Sequence, residues 1–148
     1  MIRRVHGTAV HLPGLGGALI LGESGAGKSA LALNLIQRGG LLIADDQTEL
    51  AEVGDGIVAR APVSIAGYLE IRGVGILRVP SIVAARIDAV FLLSGDEAPE
   101  RLPERQAHRV DGMPPLPSFR LAASDPAAAE KLAAALAGLR FNLCKDGA

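Results

Sequence analysis

Short apolar runs punctuated by glycine and proline dominate the first part of the chain. Val5–Leu12 predicts a short strand, Pro13–Gly17 a turn, and the wholly apolar Ala18–Leu21 a second strand. Lys28–Arg38 carries apolar residues almost all round, which predicts a largely buried helix. Leu41–Ala44 predicts a buried strand after it. Strand, helix and strand in this order predict a βαβ unit whose two strands run parallel through a right-handed crossover.

The middle of the chain has the pattern of short antiparallel strands. Glu49–Val53 and Ile57–Arg60 flank an Asp-Gly pair, which is a typical hairpin turn. Tyr68–Ile71 and Ile76–Val79 flank a second turn that contains two glycines. We therefore expect two hairpins in this region.

The last part of the chain is less regular. Ile82–Arg86 predicts a short helix and Asp88–Leu93 another buried strand. Residues 95–120 are rich in Pro, Arg and Glu, which indicates an irregular surface segment. The segment Ser124-Asp125-Pro126 supplies an N-cap and a proline at the first helical position, which predicts the start of an Ala-rich helix.

The length suits one compact domain over residues 1–148, and the order of the predicted elements indicates the α/β class with a βαβ unit and a mixed sheet. Apolar residues make up 49% of the chain, enough for a sizeable core without disulfides. The 15 basic and 16 acidic residues nearly cancel, so we expect neither nucleic acid nor a membrane as a partner. A single cysteine, Cys144, favours a reducing, cytoplasmic setting.

A glycine-rich loop lies between the second predicted strand and the predicted helix. It matches the pattern G-x-x-x-x-G-K-[ST] and consists of Gly22, Glu23, Ser24, Gly25, Ala26, Gly27, Lys28 and Ser29. Glycine lets backbone N–H groups point inward around an anion, where a Cβ would obstruct the turn or the phosphates. The charge of Lys28 would lie on the terminal phosphates of a nucleotide, and the Ser29 hydroxyl suits Mg²⁺. We predict nucleotide binding and phosphoryl transfer; a turn that binds nothing is the alternative.

Two adjacent carboxylates, Asp45 and Asp46, follow the strand after the helix. Parallel strands of a βαβ unit end at the same edge of the sheet, so we expect the pair beside the glycine-rich loop. Consecutive strand residues point to opposite sides. One carboxylate could therefore face Mg²⁺ or a reacting hydroxyl while the other supports the loop. Two ordinary acidic turn residues are the alternative.

His6 precedes the first turn, and regular antiparallel pairing of the first two predicted strands would bring it to the glycine-rich loop. If Val5–Leu12 pairs with Ala18–Leu21, the hairpin is centred near Leu15 and position 6 lies opposite position 24. A catalytic or orienting role for His6 follows from this geometry, with a structural or surface histidine as the alternative.

An acid and a base, Glu70 and Arg72, lie two residues apart ahead of Gly73 and Gly75. The spacing of the charged pair places both on one face of a strand. Spacing alone favours a salt bridge beside a turn over a functional role.

Taken together, these segments resemble the catalytic C-terminal domain of the bacterial HPr kinase/phosphorylase family. Four signatures occur in that family's order, namely His6-Gly7, the GESGAGKS of 22–29, the ADD of 44–46 and the LEIRGVGIL of 69–77. The last is far more specific than the glycine-rich loop and favours functional roles for Glu70 and Arg72. The resemblance is good over residues 5–79 and poor beyond them.

The resemblance implies an ATP-dependent serine kinase that acts on an HPr-like phosphocarrier protein of the sugar phosphotransferase system. Family members can also run the reverse, phosphorylase reaction. Their fold is a P-loop core akin to that of phosphoenolpyruvate carboxykinase, usually assembled as a hexamer. Because His6 lies almost at the start, the chain resembles the short form that lacks the family's N-terminal domain.

Matched positions imply roles for individual residues. Asp46 is implied as the general base on the seryl hydroxyl, with Asp45 and His6 as its partners. Ser29 and Glu70 are implied as ligands of Mg²⁺. The segment that receives the protein substrate is implied to contain Arg72, Gly73 and Gly75. The family's late basic loop has no counterpart here. Its cations could be replaced by Arg101, Arg105, Arg109 and Arg120, with solvated surface arginines as the alternative.

Two other functions fit the glycine-rich loop. A small-molecule kinase could use residues 95–120 as a lid, but it would leave the LEIRGVG segment unexplained. A non-catalytic nucleotide-sensing module would tolerate loss of the carboxylates, and the joint presence of Asp45, Asp46, Glu70 and His6 argues against it.

Overall fold

The computed structural model describes residues 2–95, 100–101, 103–104, 106–110 and 112–145. Its elements follow the chain as β1 (Ile2–His6), β2 (Thr8–Leu12), β3 (Gly16–Leu21), α1 (Lys28–Gln37), β4 (Leu41–Ala44), β5 (Gln47–Val53), β6 (Gly56–Arg60), β7 (Tyr68–Ile71), β8 (Gly75–Arg78), β9 (Ala84–Ile87), β10 (Ala89–Ser94), β11 (Gln106–His108), β12 (Leu116–Ala122) and α2 (Ala128–Arg140).

A mixed six-stranded sheet forms the centre of the domain, in the order β11-β12-β10-β3-β2-β4. Strands β3, β10 and β12 run parallel, whereas β2 is antiparallel to both of its neighbours. One face of this sheet packs against α1 and α2, and the other packs against a second, four-stranded sheet with the order β1-β5-β6-β9. Since the central strands are buried on both faces, they are apolar at nearly every position. Strands β7 and β8 form a separate hairpin.

The α/β class, the mixed sheet and the predicted helix are confirmed, as are both hairpins of the middle region. The βαβ expectation needs one correction. Strands β3 and β4 do run in the same direction, but β2 is inserted between them as an antiparallel neighbour of each. Their carboxyl ends still lie at one edge of the sheet, which is the property that the site requires.

The prediction of one continuous strand over Val5–Leu12 is wrong, because the chain leaves one sheet and enters the other at Gly7. A Cβ on Gly7 would lie 2.7 Å from the Cδ2 atom of Leu21 and 3.1 Å from the carbonyl oxygen of Ile20, so any larger residue at the crossing forces these neighbours to shift. The Gly7 N–H donates to the carbonyl of Asp46 at 2.9 Å, and its carbonyl accepts from the Thr48 hydroxyl at 2.9 Å. These contacts hold the switch point in place.

Three predictions for the last part of the chain are also wrong. Ile82–Arg86 contributes to strand β9 rather than to a helix, because β9 pairs with β6 at the edge of the second sheet. Part of the supposedly irregular segment 95–120 forms β12, which lies parallel to β10. Helix α2 begins at Ala128 rather than at Pro126 and has no side-chain N-cap, and the Asp125 carboxylate accepts from the N–H of Ala127 at 2.8 Å. Among the described residues, no helix has the length and apolarity to cross a membrane.

Phe91 is the largest fully buried side chain of the described chain, and it anchors β10 to β12. Its ring stacks on that of Phe119 with centroids 5.4 Å apart. We expect Phe91→Ala to lower the free energy of unfolding by about 3–5 kcal/mol, because the truncation leaves a cavity in the helix-facing core. Denaturant unfolding checks this, with the exposed Phe141→Ala as control. A loss below about 1 kcal/mol would contradict the packing described.

Candidate active site

The glycine-rich loop joins the end of β3 to the start of α1 at the edge of the central sheet. Gly25 and Gly27 have φ angles of +83° and +104°, which residues with side chains rarely adopt. A Cβ on Gly22 would lie 2.7 Å from the carbonyl oxygen of Leu93, so this position requires glycine for the close approach of β10. The loop therefore has the backbone freedom and the open N-terminal helix end that a phosphate group needs.

Lys28 is buried, with 6% of its surface exposed, and its ammonium lies across the loop. The Nζ atom donates to the carbonyl oxygens of Gly22 and Glu23 at 2.8 and 3.0 Å. A charge held in this place lies at the mouth of the amide-lined turn, where the terminal phosphates of a nucleotide would enter. The structure thus places the Lys28 ammonium at the glycine-rich loop, and its contact with nucleotide phosphates stays a prediction.

Asp45 is also buried, and its carboxylate accepts from three donors. The Oδ1 atom accepts from the hydroxyls of Ser29 at 2.7 Å and Thr8 at 3.1 Å, and Oδ2 accepts from the backbone N–H of Glu70 at 3.0 Å. Asp45 thereby connects the first turn of α1 with β2 and β7. Because most of its lone pairs are occupied, Asp45 supports its neighbours and is poorly placed to take a proton from a substrate.

Asp46 has the opposite environment, since 61% of its side chain is exposed. Its backbone has a φ of +66°, which is uncommon outside glycine. The N–H of Gln47 donates to the carbonyl of Asp45 at 2.7 Å, which closes a γ-turn centred on Asp46. A backbone held in such a region costs about 1–3 kcal/mol and is typical of functional sites. The Asp46 carboxylate is thus open to solvent, unlike that of Asp45.

His6 meets Asp46, but by a different route from the predicted one. Its Nε2 atom lies 3.3 Å from Oδ1 of Asp46. The β2–β3 hairpin pairs Leu12 with Gly16, so its centre is residue 14 rather than Leu15, and His6 belongs to β1, outside this sheet. It reaches the site because β1 pairs with β5, which places His6 opposite Gln47.

The β7–β8 hairpin closes the site from a third side. Leu69 is fully buried in the core, and this anchors the strand so that the N–H of Glu70 reaches Asp45. The Nη2 atom of Arg72 lies 3.8 Å from the position that a Cβ on Gly25 would take, so the guanidinium lies over the glycine-rich loop. Within the described part of the chain, no ion pair joins Glu70 to Arg72, which overturns the salt bridge favoured by their spacing.

The hairpin turn requires Gly73 and Gly75, whose φ angles are +85° and +129°. Arg78 closes its open end by donating to the Tyr68 hydroxyl at 3.1 Å, with its guanidinium 5.4 Å from the ring centre. This hydrogen bond lowers the pKa of the Tyr68 phenol. The hairpin is thus stiffened at its base while its glycine turn projects beside the loop.

The donor set beside the loop suits a divalent cation that is shared with phosphate oxygens. The Ser29 hydroxyl lies at the loop with the Asp45 carboxylate directly behind it, and the exposed side chain of Glu70 starts from the neighbouring strand. Across the described ranges, no group of three or more His, Cys, Asp or Glu side chains could hold a metal ion by itself. Such a site fits Mg²⁺, which binds through few protein ligands and several phosphate or water oxygens.

Sequence reasoning missed Thr8, which contacts both aspartates. The only available signal was a polar residue within an apolar strand, and that signal does not reveal a contact across 37 positions. The candidate replacement cations make no hydrogen bond or ion pair with the loop among the residues that the structure describes, and Arg109 instead donates to the carbonyl of Met113 at 3.3 Å. Arg101 and Arg120 are exposed, and Arg105 lies outside the described residues.

The fold and the loop define the class of this protein, which is an α/β domain of the P-loop type. A family profile described as "HPr Serine kinase C-terminal domain" matches residues 2–87, more than half of the chain. The chain belongs to that family.

Curated relatives resemble about half of the chain in sequence, and a solved structure shares its fold. The chain is 48% identical over 79 residues to the HPr kinase/phosphorylase of Clostridium acetobutylicum, which is 53% of this chain and 26% of the relative. It is 47% identical over 79 residues to that of Clostridium tetani, with the same coverage. The match thus spans about a quarter of the length of these relatives. The structure of the Hpr(Ser) kinase/phosphatase from Coxiella burnetii shares the fold, with a TM-score of 0.79 and 23% identity over 95% of this chain and 98% of that chain.

Proposed function

We propose that this protein transfers the γ-phosphoryl group of ATP to a serine hydroxyl of an HPr-like phosphocarrier protein. In this step the seryl oxygen attacks the γ-phosphorus, the bond between the γ-phosphorus and the oxygen that bridges it to the β-phosphate breaks, and ADP leaves with that oxygen. The proton of the hydroxyl passes to the Asp46 carboxylate. A seryl hydroxyl is a poor nucleophile until its proton is taken, so a base at this position accounts for the chemistry.

The observation that carries the proposal is the contrast between the two adjacent carboxylates. The Asp45 carboxylate accepts three hydrogen bonds, one of them from Ser29, whereas the Asp46 carboxylate is exposed and lies beside His6. One acid thus supports the phosphate end of the site while the other stays open to an incoming group. A module that only senses a nucleotide would have no need for the second acid.

The remaining residues of the site would bind the nucleotide phosphates and neutralise their charge. The loop N–H groups and Lys28 would hold the phosphates, and Arg72 would approach the transferred group from the hairpin side. Mg²⁺, when bound, would neutralise charge on the β- and γ-phosphates. Ser29 and Glu70 would hold it, with Asp45 orienting the serine hydroxyl. Because phosphoryl transfer proceeds through a loose transition state, positioning and charge neutralisation supply most of the catalysis.

The hairpin that carries Arg72, Gly73 and Gly75 is the proposed contact for the protein substrate. Val74 and Ile76 are mostly exposed at its tip and on β8, which supports contact with a partner rather than with the core. The reverse reaction, a hexameric assembly, a single domain over residues 1–148 and cytoplasmic location remain predictions that rest on the sequence and its resemblance.

Transfer of label from ATP to candidate acceptors tests the proposed function. We expect γ-phosphate label from ATP on an HPr-like phosphocarrier protein, and none on a variant of that carrier in which the acceptor serine is alanine. Small metabolites such as sugars and nucleosides serve as parallel acceptors. Label found only on a metabolite would instead identify a small-molecule kinase, and binding of ATP without any transfer would identify a sensing module.

A further inference from the structure

Thr8 lies fully buried between the two acids and makes hydrogen bonds to both. Its hydroxyl donates to Oδ1 of Asp45 at 3.1 Å and accepts from the backbone N–H of Asp46 at 3.2 Å. A hydroxyl has one proton, so donation to Asp45 leaves only its lone pairs for Asp46. The N–H of Asp46, the hydroxyl and the carboxylate of Asp45 therefore form one polarised chain.

The γ-turn at Asp46 needs support from outside because its φ of +66° is disfavoured for a residue with a side chain. Both backbone polar groups of Asp46 are held by the start of β2 and the residue before it. The N–H bonds to Thr8, and the carbonyl accepts from the N–H of Gly7 at 2.9 Å. Two consecutive residues at the crossing between the sheets thus clamp the residue proposed as the base.

We propose that Thr8 is a positioning residue that fixes the Asp46 carboxylate for proton transfer and couples it to Asp45; this inference rests on the proposed function. Removal of the hydroxyl leaves the N–H of Asp46 without a partner, so the turn relaxes and the carboxylate moves. Among the described residues, no hydrogen bond joins Thr8 to the glycine-rich loop or to Lys28, so nucleotide affinity changes little. The effect appears in kcat rather than in KM for ATP.

Thr48 offers a matched control. It is also a fully buried threonine, and its hydroxyl donates to the carbonyl of Gly7 at 2.9 Å. Within the described ranges it has no hydrogen bond to the carboxylate of either aspartate. Thr48→Val therefore removes a buried hydroxyl and a hydrogen bond to the residue before Thr8, while both hydrogen bonds of the Asp46 backbone, to Thr8 and from Gly7, keep their partners. Any general effect of losing such a bond is common to both variants.

The test compares Thr8→Val, Thr8→Ser and Thr48→Val in the full chain. We expect kcat for transfer to the phosphocarrier to fall on the order of 10- to 100-fold in Thr8→Val, with KM for Mg-ATP within about threefold. Thr8→Ser keeps the hydroxyl and should restore most of kcat, and Thr48→Val should stay close to wild type. Hydrogen exchange without ligands should be faster at the Asp46 amide in Thr8→Val, relative to the core amide of Leu19, and unchanged there in Thr48→Val.

Each outcome decides the inference. Equal kcat in the two valine variants would overturn it, whether or not exchange at Asp46 differs between them. A lower kcat without faster exchange at Asp46 would overturn it too, because the loss would then arise elsewhere. If the wild-type protein phosphorylates no carrier, the proposed function fails, and unchanged exchange at Asp46 in Thr8→Val would show separately that Thr8 does not hold the turn.

Discussion

Replacement of Asp46 by asparagine is expected to reduce serine phosphorylation by about 10²- to 10⁴-fold while ATP binding stays nearly intact. The amide cannot accept the seryl proton, so the nucleophile stays protonated as it attacks. Asparagine has the same shape and tolerates the left-handed backbone better than most residues, so the γ-turn at φ +66° persists. The loss is therefore chemical rather than conformational.

Single-turnover phosphorylation together with calorimetric titration of Mg-ATP measures both parts of this expectation. Asp55→Asn is the control, because its carboxylate is almost fully exposed on the β5–β6 turn, away from the loop. Near-normal transfer by Asp46→Asn would remove Asp46 from the role of base. In that case His6, whose Nε2 lies 3.3 Å from the Asp46 carboxylate, would be the next side chain to test.

Replacement of Lys28 by methionine is expected to impair the phosphate site itself. Methionine keeps the unbranched stem that is buried in the loop but loses the charge, so the terminal phosphates face two carbonyl oxygens without a cation. We expect transfer to fall by about 10²- to 10³-fold, comparable with loss of one preorganised charge-stabilising group, and affinity for Mg-ATP to fall as well. This double effect distinguishes Lys28 from Asp46.

The same titration and phosphorylation measurements apply to Lys28→Met. Lys131→Met is a suitable control, because this lysine pairs with Asp125, which precedes α2, and has no ion pair or hydrogen bond with the glycine-rich loop among the described residues. Unchanged heat of Mg-ATP binding by Lys28→Met would show that nucleotide phosphates do not bind where the ammonium lies.

Much of the site could be predicted from local sequence. The loop of Gly22–Ser29 requires glycines, a lysine and a serine in a short contiguous stretch, so the pattern carries its own geometry. The same holds for the buried strands and for both hairpins, because periodicity and turn residues determine short-range structure. The wrong predictions concern segments in which pairing with a strand that is distant in sequence overrides the local conformational preference. Ile82–Arg86 contributes to β9 because β6 lies beside it, and residues 116–122 form β12 because β10 does.

Local sequence alone specified the phosphate loop, the helix behind it and the presence of an acidic pair at the adjoining strand end. The packing of the two sheets and the β7–β8 hairpin determined that Asp45 supports the loop while Asp46 stays open to solvent. It also determined that His6 reaches the site from β1 and that Thr8 contacts both aspartates. These properties depend on hydrogen bonds between residues that are far apart along the chain, such as Thr8 with Asp45 and Glu70 with Asp45. Periodicity reports which face of an element is buried, but the partner of a buried polar group is chosen only when distant elements come together.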